Sequence, residues 1–220
     1  MIISLSYQLN DLAFGYGNGT RFKLTYASKI LDGNTSNNTL INTPTHYGTH
    51  IDFPFHFSQD GKKSSDYPID FFLFDCIDII EIDASKVNNL LIMNKDINIG
   101  DNKSAELLFV KTGFCEKRYS NEYWEYGFGF HSETADYLKK NYPNLKVIAF
   151  DLISLNSYQH RPEGRRSHKE FLLKHDVLIV EDVNLKKVNK STVFNNVVIS
   201  PLLIENADGA PVTIIADIND

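Results

Sequence analysis

The sequence predicts a mixed α/β fold dominated by sheet, on two observations. Short apolar runs rich in Ile, Val and Phe recur along the chain between clusters of Asn, Asp, Gly and Ser, the pattern of strands joined by turns. Only two stretches carry helical spacing, so a few helices are expected to pack on the sheet. At 220 residues and 42% hydrophobic content the chain is able to bury a full core, and one domain over residues 1–220 is expected.

In chain order, strands are expected at Ile2–Tyr7, Phe22–Ala27, Phe74–Asp83, Leu107–Thr112, Lys146–Asp151, Val177–Glu181, Val197–Ser200 and Val212–Asp217. Segments 11–20 and 31–39 are rich in Gly and Asn and read as loops. The first helix starts at Ser132, a good N-cap, carries Ala135, Leu138 and Tyr142 on one stripe, and stops at Pro143. The second runs from about Arg166 to Lys174. Residues 116–130 concentrate aromatics and charges without periodicity, which suits an irregular excursion near a pocket or an interface.

Twenty-two Lys and Arg against 28 Asp and Glu give a net charge of −6, which repels a phosphate backbone and an anionic membrane surface. Cys76 and Cys115 form no CxxC pair, so neither a disulfide framework nor a cysteine zinc site is expected. The amino terminus has no basic leader, and no apolar run approaches the ~18 residues of a membrane span. A cytoplasmic protein is the expectation.

Three of the seven histidines fall within residues 46–56, where an even spread would place fewer than one. His46, His50, Asp52 and His56 all have even numbers, so an extended chain would project them from one face and turn Tyr47, Ile51, Phe53, Phe55 and Phe57 to the other. Gly48, the β-branched residues and Pro54 argue against a helix here. A straight strand would hold His46 and His50 roughly 13 Å apart, too far to share a metal whose ligand bonds are near 2.0–2.1 Å. The backbone must therefore bend, and Gly48 permits it. Three nitrogen or oxygen ligands with an open position form a catalytic rather than a structural metal site.

Glu181 ends a run of four apolar residues, where a parallel strand leaves its sheet and open α/β sheets place ligands. A solvated strand end is the bland alternative. His131 reads as a turn or interface residue, His160 as a surface residue of a loop that could reach the site, and His175 as a helix C-terminal charge partner. Arg165 and Arg166 are either a solvated helix start or contacts for a substrate carboxylate.

The string His46-x-Gly48-Thr49-His50-x-Asp52-x-Pro54-x-His56 closely resembles the H-x-G-T-H-x-D-x-P-x-H motif of the metal-dependent cyclase superfamily, which includes bacterial-type kynurenine formamidases and isatin hydrolases. Further resemblance lies in Val110-Lys111-Thr112-Gly113, Ala149-Phe150-Asp151, the segment from His168 to Glu181, and Ala207-Asp208-Gly209-Ala210-Pro211. It implies an α/β domain of the swivelling β/β/α type. It also implies that His46, His50 and Asp52 hold a divalent metal, zinc or manganese, and that His56, His168 and Glu181 act as second-metal ligands or acid/base groups, with one or two metals per chain. A homodimer or homotetramer is implied as well. The chain departs from typical formamidases in two places: the interval from His168 to Glu181 is one residue longer, and the segment Leu5-Ser6-Tyr7-Gln8-Leu9 with Gly15-Tyr16-Gly17 differs from their usual opening.

The expected reaction is hydrolysis of an aryl formamide such as N-formylkynurenine by a metal-activated water. His56 is expected to move the proton, Glu181 to orient His56 or bind a second metal, and His168 to stabilise the oxyanion. No G-x-S-x-G motif points to a serine nucleophile. Opening of an isatin-like lactam or lactone uses the same groups, with aromatics from 11–26 and 119–130 lining the pocket. A catalytically silent metal-binding protein is the reading from another class.

Overall fold

In the computed structural model, which describes residues 1–219, the apolar runs form strands whose burial follows their place in the sheet. The strands are β1 (Ile2–Ser4), β2 (Lys23–Ser28), β3 (Asn38–Asn42), β4 (His50–Asp52), β5 (Leu73–Phe74), β6 (Ile77–Glu81), β7 (Leu91–Ile92), β8 (Leu107–Lys111), β9 (Gly129–Phe130), β10 (Val147–Phe150), β11 (Leu178–Glu181), β12 (Phe194–Pro201) and β13 (Gly209–Ile218). The helices are α1 (Asn121–Glu125), α2 (Glu133–Asn141) and α3 (Arg161–Lys169). Nine strands form one mixed sheet in the order β5-β12-β13-β4-β11-β10-β8-β6, with β1 paired to β13 beside that path. Phe109 of β8 stacks on Phe194 of β12 with ring centroids 5.4 Å apart, so the sheet curls until it is nearly a barrel.

Strands β6, β8, β10 and β11 run parallel. Strands β10 and β11 are buried along their whole length, which is why both are unbroken apolar runs up to Glu181. Strand β13 instead alternates, burying Val212, Ile214 and Ala216 while Thr213 and Ile215 face solvent. The main core draws on residues from Ile3 to Ile218, and a small satellite of Ala13, Phe22 and Tyr47 lies beside it. Among the described residues no helix is long and apolar enough to cross a membrane.

Three expectations need correction. Residues 31–39 are not all loop: Asn38 begins β3, which pairs antiparallel with β2 in a hairpin set apart from the main sheet. Ser132 makes no side-chain cap at the start of α2; its backbone N–H donates instead to Glu163 Oε1 at 2.9 Å. The second helix starts five residues early, at Arg161, because Pro162 fits a first helical turn where its missing N–H costs nothing. It then passes into a π-turn over Glu170–Lys174. A π-turn absorbs one extra residue without breaking the helix. His168 lies just before this turn, and Glu181 closes the strand that follows it.

Candidate metal centre

Strand β4 runs antiparallel between β11 and β13, with His50 opposite Glu181 and Pro211, and Asp52 opposite Ile179 and Gly209. This register puts His50, Asp52 and Glu181 on one face at the carboxyl end of β11. The chain before β4 bends at Gly48, whose φ of 67° lies in the left-handed region that glycine tolerates. The bend brings the His46 and His50 rings to 5.2 Å, in place of the separation a straight strand would impose. Gly209 makes room for the result: a Cβ there would lie 2.5 Å from His46 Cε1. Beyond β4, Pro54–His56 is a 3-10 turn, so His56 reaches the site by a change of direction, not by strand parity. Phe57 accordingly leaves the apolar face expected for it and stacks on the His168 ring at 4.7 Å.

All six expected site residues, His46, His50, Asp52, His56, His168 and Glu181, line one cavity of about 270 Å³. His50 Nδ1 lies 2.8 Å from the Gly48 carbonyl and His168 Nδ1 lies 2.7 Å from the Gly164 carbonyl. A carbonyl only accepts, so each Nδ1 is the donor and each Nε2 is turned inward. His50 Nε2 is 3.4 Å from Asp52 Oδ1 and 3.3 Å from Glu181 Oε2. His168 Nε2 is 3.7 Å from Asp52 Oδ2 and 3.5 Å from Glu181 Oε1. Ligand atoms at tetrahedral corners, each 2.0–2.1 Å from a cation, stand about 3.3–3.4 Å from one another. These separations match that spacing better than hydrogen bonds, and His50 Nε2 is a buried atom without a hydrogen-bond partner. The residues fit a divalent cation, and nitrogen with carboxylate oxygen is a donor set that such cations accept.

His46 adds a third indication. Its Nε2 is 2.9 Å from Asp208 Oδ2 and its Nδ1 is 2.8 Å from Asp52 Oδ1. A neutral imidazole is able to donate to only one of these carboxylates, so the other contact requires a proton or a cation. Burial opposes the charge, but Asp52 and Asp208 outweigh it and raise the His46 pKa to about 10 in the metal-free protein. Burial likewise resists ionisation of Glu181, yet His168 and His50 hold its carboxyl well below the usual range. Glu181 Oε1 also accepts from the Leu155 N–H at 2.6 Å and from Ser154 Oγ at 3.1 Å, which fixes its orientation.

Two expected roles change. The carboxylate that meets His56 is Asp208, at 3.1 Å from Nδ1, while Glu181 faces His50 and His168. His168, with Nδ1 committed to Gly164, presents a bare Nε2 to two carboxylates, the disposition of a ligand rather than an oxyanion donor. Sequence patterns assign no role to Asp208, although the segment Ala207-Asp208-Gly209-Ala210-Pro211 that holds it is part of the family resemblance. Beside Ser154, the residues Tyr16, Phe57, Ile153, Asn156, Arg161 and Arg165 complete the cavity wall. From 11–26, Tyr16 does reach the cavity, but 119–130 contributes no side chain to it; Trp124 packs behind, on Tyr158, at 5.1 Å. His131 lies near Glu163, His160 precedes α3, His175 pairs with Asp136, and Arg166 pairs with Glu163, all outside the cavity.

The site stands on a buried frame. Arg118 donates to both carboxylate oxygens of Asp182, at 2.7–3.0 Å, and Tyr123 Oη adds a bond of 2.7 Å. Asp182 directly follows Glu181 and has a φ of 53°, so this fork holds the strained residue that ends the strand.

The family described as "Putative cyclase" matches residues 3–157. Kynurenine formamidase of Bacillus cereus (strain ATCC 10987 / NRS 248) is 27% identical over 210 residues, covering 96% of this chain and 94% of that protein. Kynurenine formamidase of Bacillus anthracis is 26% identical over 212 residues, with the same coverage. Isatin hydrolase A from Labrenzia aggregata, solved with benzyl benzoate, shares the fold at a TM-score of 0.77 and 18% identity, covering 98% of this chain and 93% of that one. A structure from Bacillus stearothermophilus described as a predicted metal-dependent hydrolase superposes with a TM-score of 0.72 at 21% identity, covering 98% and 97%. Matched over well more than half of its length, the chain belongs to the cyclase family.

Proposed function

We propose that this protein is a metal-dependent hydrolase that cleaves an aryl formamide such as N-formylkynurenine. The observation that carries the reading is a division of labour inside one cavity: buried nitrogen and carboxylate donors converge on a cation position, while His56 stands at the rim with Nδ1 on Asp208. Kynurenine formamidase relatives aligned over nearly the whole chain support the substrate class.

His46, His50 and Asp52 would hold one divalent cation, zinc or manganese. Asp52 and Glu181 each turn one oxygen to His50 and the other to His168, a disposition that favours a second cation between them. When bound, the cation supplies Lewis acidity, polarising the scissile carbonyl and activating water near neutral pH. The side chains do the rest. Asp208, an acceptor only, receives the His56 Nδ1–H and leaves Nε2 to take a proton from the attacking water. The same Nε2 then returns the proton to the amine nitrogen as the C–N bond breaks, giving formate and the free arylamine. Phe57 and Ile153 give the cavity an apolar wall beside the donors.

A homo-oligomer, dimer or tetramer, fits the surface. Leu40 and Ile41 of the β2–β3 hairpin are 57% and 65% exposed, and Ile41 lines a groove with Leu202 and Leu203. Residues 119–130 offer a second exposed surface in Tyr119 and Tyr126, while Tyr123, Phe128 and Phe130 are buried. We place the working protein in the cytoplasm as one domain.

The test is metal content of the purified protein together with hydrolysis of N-formylkynurenine, with and without chelator and with added zinc or manganese. Chelator-sensitive turnover supports the reading. Bound metal without turnover discards this substrate and directs the search to lactams and other amides; no metal under any loading condition overturns the reading.

A further inference from the structure

We infer that Arg161 and Arg165 form a carboxylate subsite, so that the substrate carries an anionic group beyond the scissile amide. The inference rests on the hydrolase reading above and specifies which amides that site takes.

Arg161 and Arg165 are one turn apart on α3, which places them on the same helix face, and both line the cavity that contains the metal centre. Like charges at this spacing repel. Neighbouring cations on the same segment are matched: the adjacent Arg166 reaches Glu163 at 3.1 Å, and Lys174 reaches Asp136 and Glu170 at 2.8 Å. Among the described residues Arg161 and Arg165 have no carboxylate partner. The Arg161 guanidinium lies over the face of Tyr158, 5.7 Å from the ring centroid. Two unpaired guanidiniums at the mouth of a metal centre suit a carboxylate, which their planar forks bind with two parallel hydrogen bonds.

A second observation points the same way. The Tyr16 hydroxyl, on the same cavity wall, is buried and has no hydrogen-bond partner. Burial raises its pKa to about 12, against the opposing charge of Arg161, so the hydroxyl remains a donor. Tyr16 packs edge-on against Tyr158 at 5.9 Å, which fixes it beside the two arginines. Three donors therefore share one wall, and the acidic side chains of the cavity, Asp52 and Glu181, are engaged with the histidines. An ammonium group on the substrate finds no free carboxylate there. The subsite selects for a carboxylate and gains nothing from an amino group beside it.

The experiment compares N-formylanthranilate, N-formylkynurenine and uncharged formanilide with the metal-loaded protein, its Arg161→Gln/Arg165→Gln variant, and Arg166→Gln as control. The readout is the ratio of kcat/KM for N-formylanthranilate to that for formanilide. In the double variant this ratio is expected to fall by roughly tenfold or more, mainly through KM, while Arg166→Gln keeps the wild-type ratio. N-formylkynurenine is expected to gain no advantage over N-formylanthranilate from its ammonium group. Calorimetric titration with benzoate provides an arm independent of turnover. If no amide is hydrolysed, the function proposed above fails, and benzoate binding weakened about tenfold or more in the double variant still supports the subsite. An unchanged substrate ratio, or benzoate affinity equal in wild type and double variant, overturns it.

Discussion

Asp208 Oδ2 joins two histidines that the chain places ten residues apart, lying 2.9 Å from His46 Nε2 and 3.1 Å from His56 Nδ1. Its other oxygen accepts from Thr45 Oγ1 at 3.1 Å, so the carboxylate is pinned on both sides. Hydrogen bonds from His46 and His56 hold its carboxyl well below the usual range, which keeps it an acceptor only. One residue thus fixes the tautomer of an expected metal ligand and that of an expected proton carrier.

Asp208→Asn should lower kcat/KM about 10- to 100-fold, because an amide is able to turn an N–H toward either imidazole and release it from its orientation. Steady-state kinetics with metal content measured on the same sample check this. Full activity with full metal would leave Asp208 without a role.

His50→Ala should abolish both metal retention and turnover. It also leaves Asp52 and Glu181 buried without the imidazole between them, so the variant should melt below the wild type. Elemental analysis and a thermal melt are sufficient, and retention of turnover would refute the ligand assignment.

Metal uptake should release protons and strengthen as pH rises. In the metal-free protein the His46 pKa is about 10, above the value near 6.5 of an unfolded histidine. Its contribution to stability is therefore fully present below pH 6.5 and is lost as pH rises through 10. A bound cation competes for the same nitrogen, so the gap in Tm between metal-loaded and chelator-treated protein should widen over this window. Titrations in two buffers of different ionisation enthalpy should give different apparent heats. A Tm gap flat with pH and buffer-independent heats would contradict the assignment of His46.

Substituting Glu for both Leu40 and Ile41 should shift the particle toward the monomer in light scattering, since two charges would enter the apolar surface of the hairpin. An unchanged mass would place the subunit contact elsewhere.

Much of the site is legible in the sequence because its residues are close together and their geometry is constrained. A straight strand cannot bring His46 and His50 to one cation, so Gly48 had to bend, and its φ is positive. What escaped sequence reading depends on distance or on solvent. Asp208 is 152 residues from His56, and no spacing rule links them. Strand β3 is exposed along its whole length, so it lacks the alternation that marks a half-buried strand. Helix α3 starts earlier than its apolar residues indicate, because its first turn, Arg161-Pro162-Glu163, is polar and tolerates proline.

Two glycines separate shape from strain, and their alanine variants should differ in kind. At Gly48 the backbone is left-handed, with φ at 67°, so Gly48→Ala should destabilise the whole protein by about 1 kcal/mol or more whether or not metal is present. At Gly209 the backbone needs no glycine, but the added Cβ would lie 2.5 Å from His46 Cε1 and 2.9 Å from Nε2. The three nearest atoms all belong to the His46 ring, whose movement would disturb its contacts with Asp208 and Asp52. Gly209→Ala should therefore cost metal affinity about 10- to 100-fold, while the metal-free melting temperature, compared near pH 10 where the charged His46–Asp208 pair contributes least, changes less than in Gly48→Ala. Melting curves with and without metal, beside a metal titration, distinguish the two cases. Equal losses of metal-free stability in both variants would mean that His46 has no privileged position against β13.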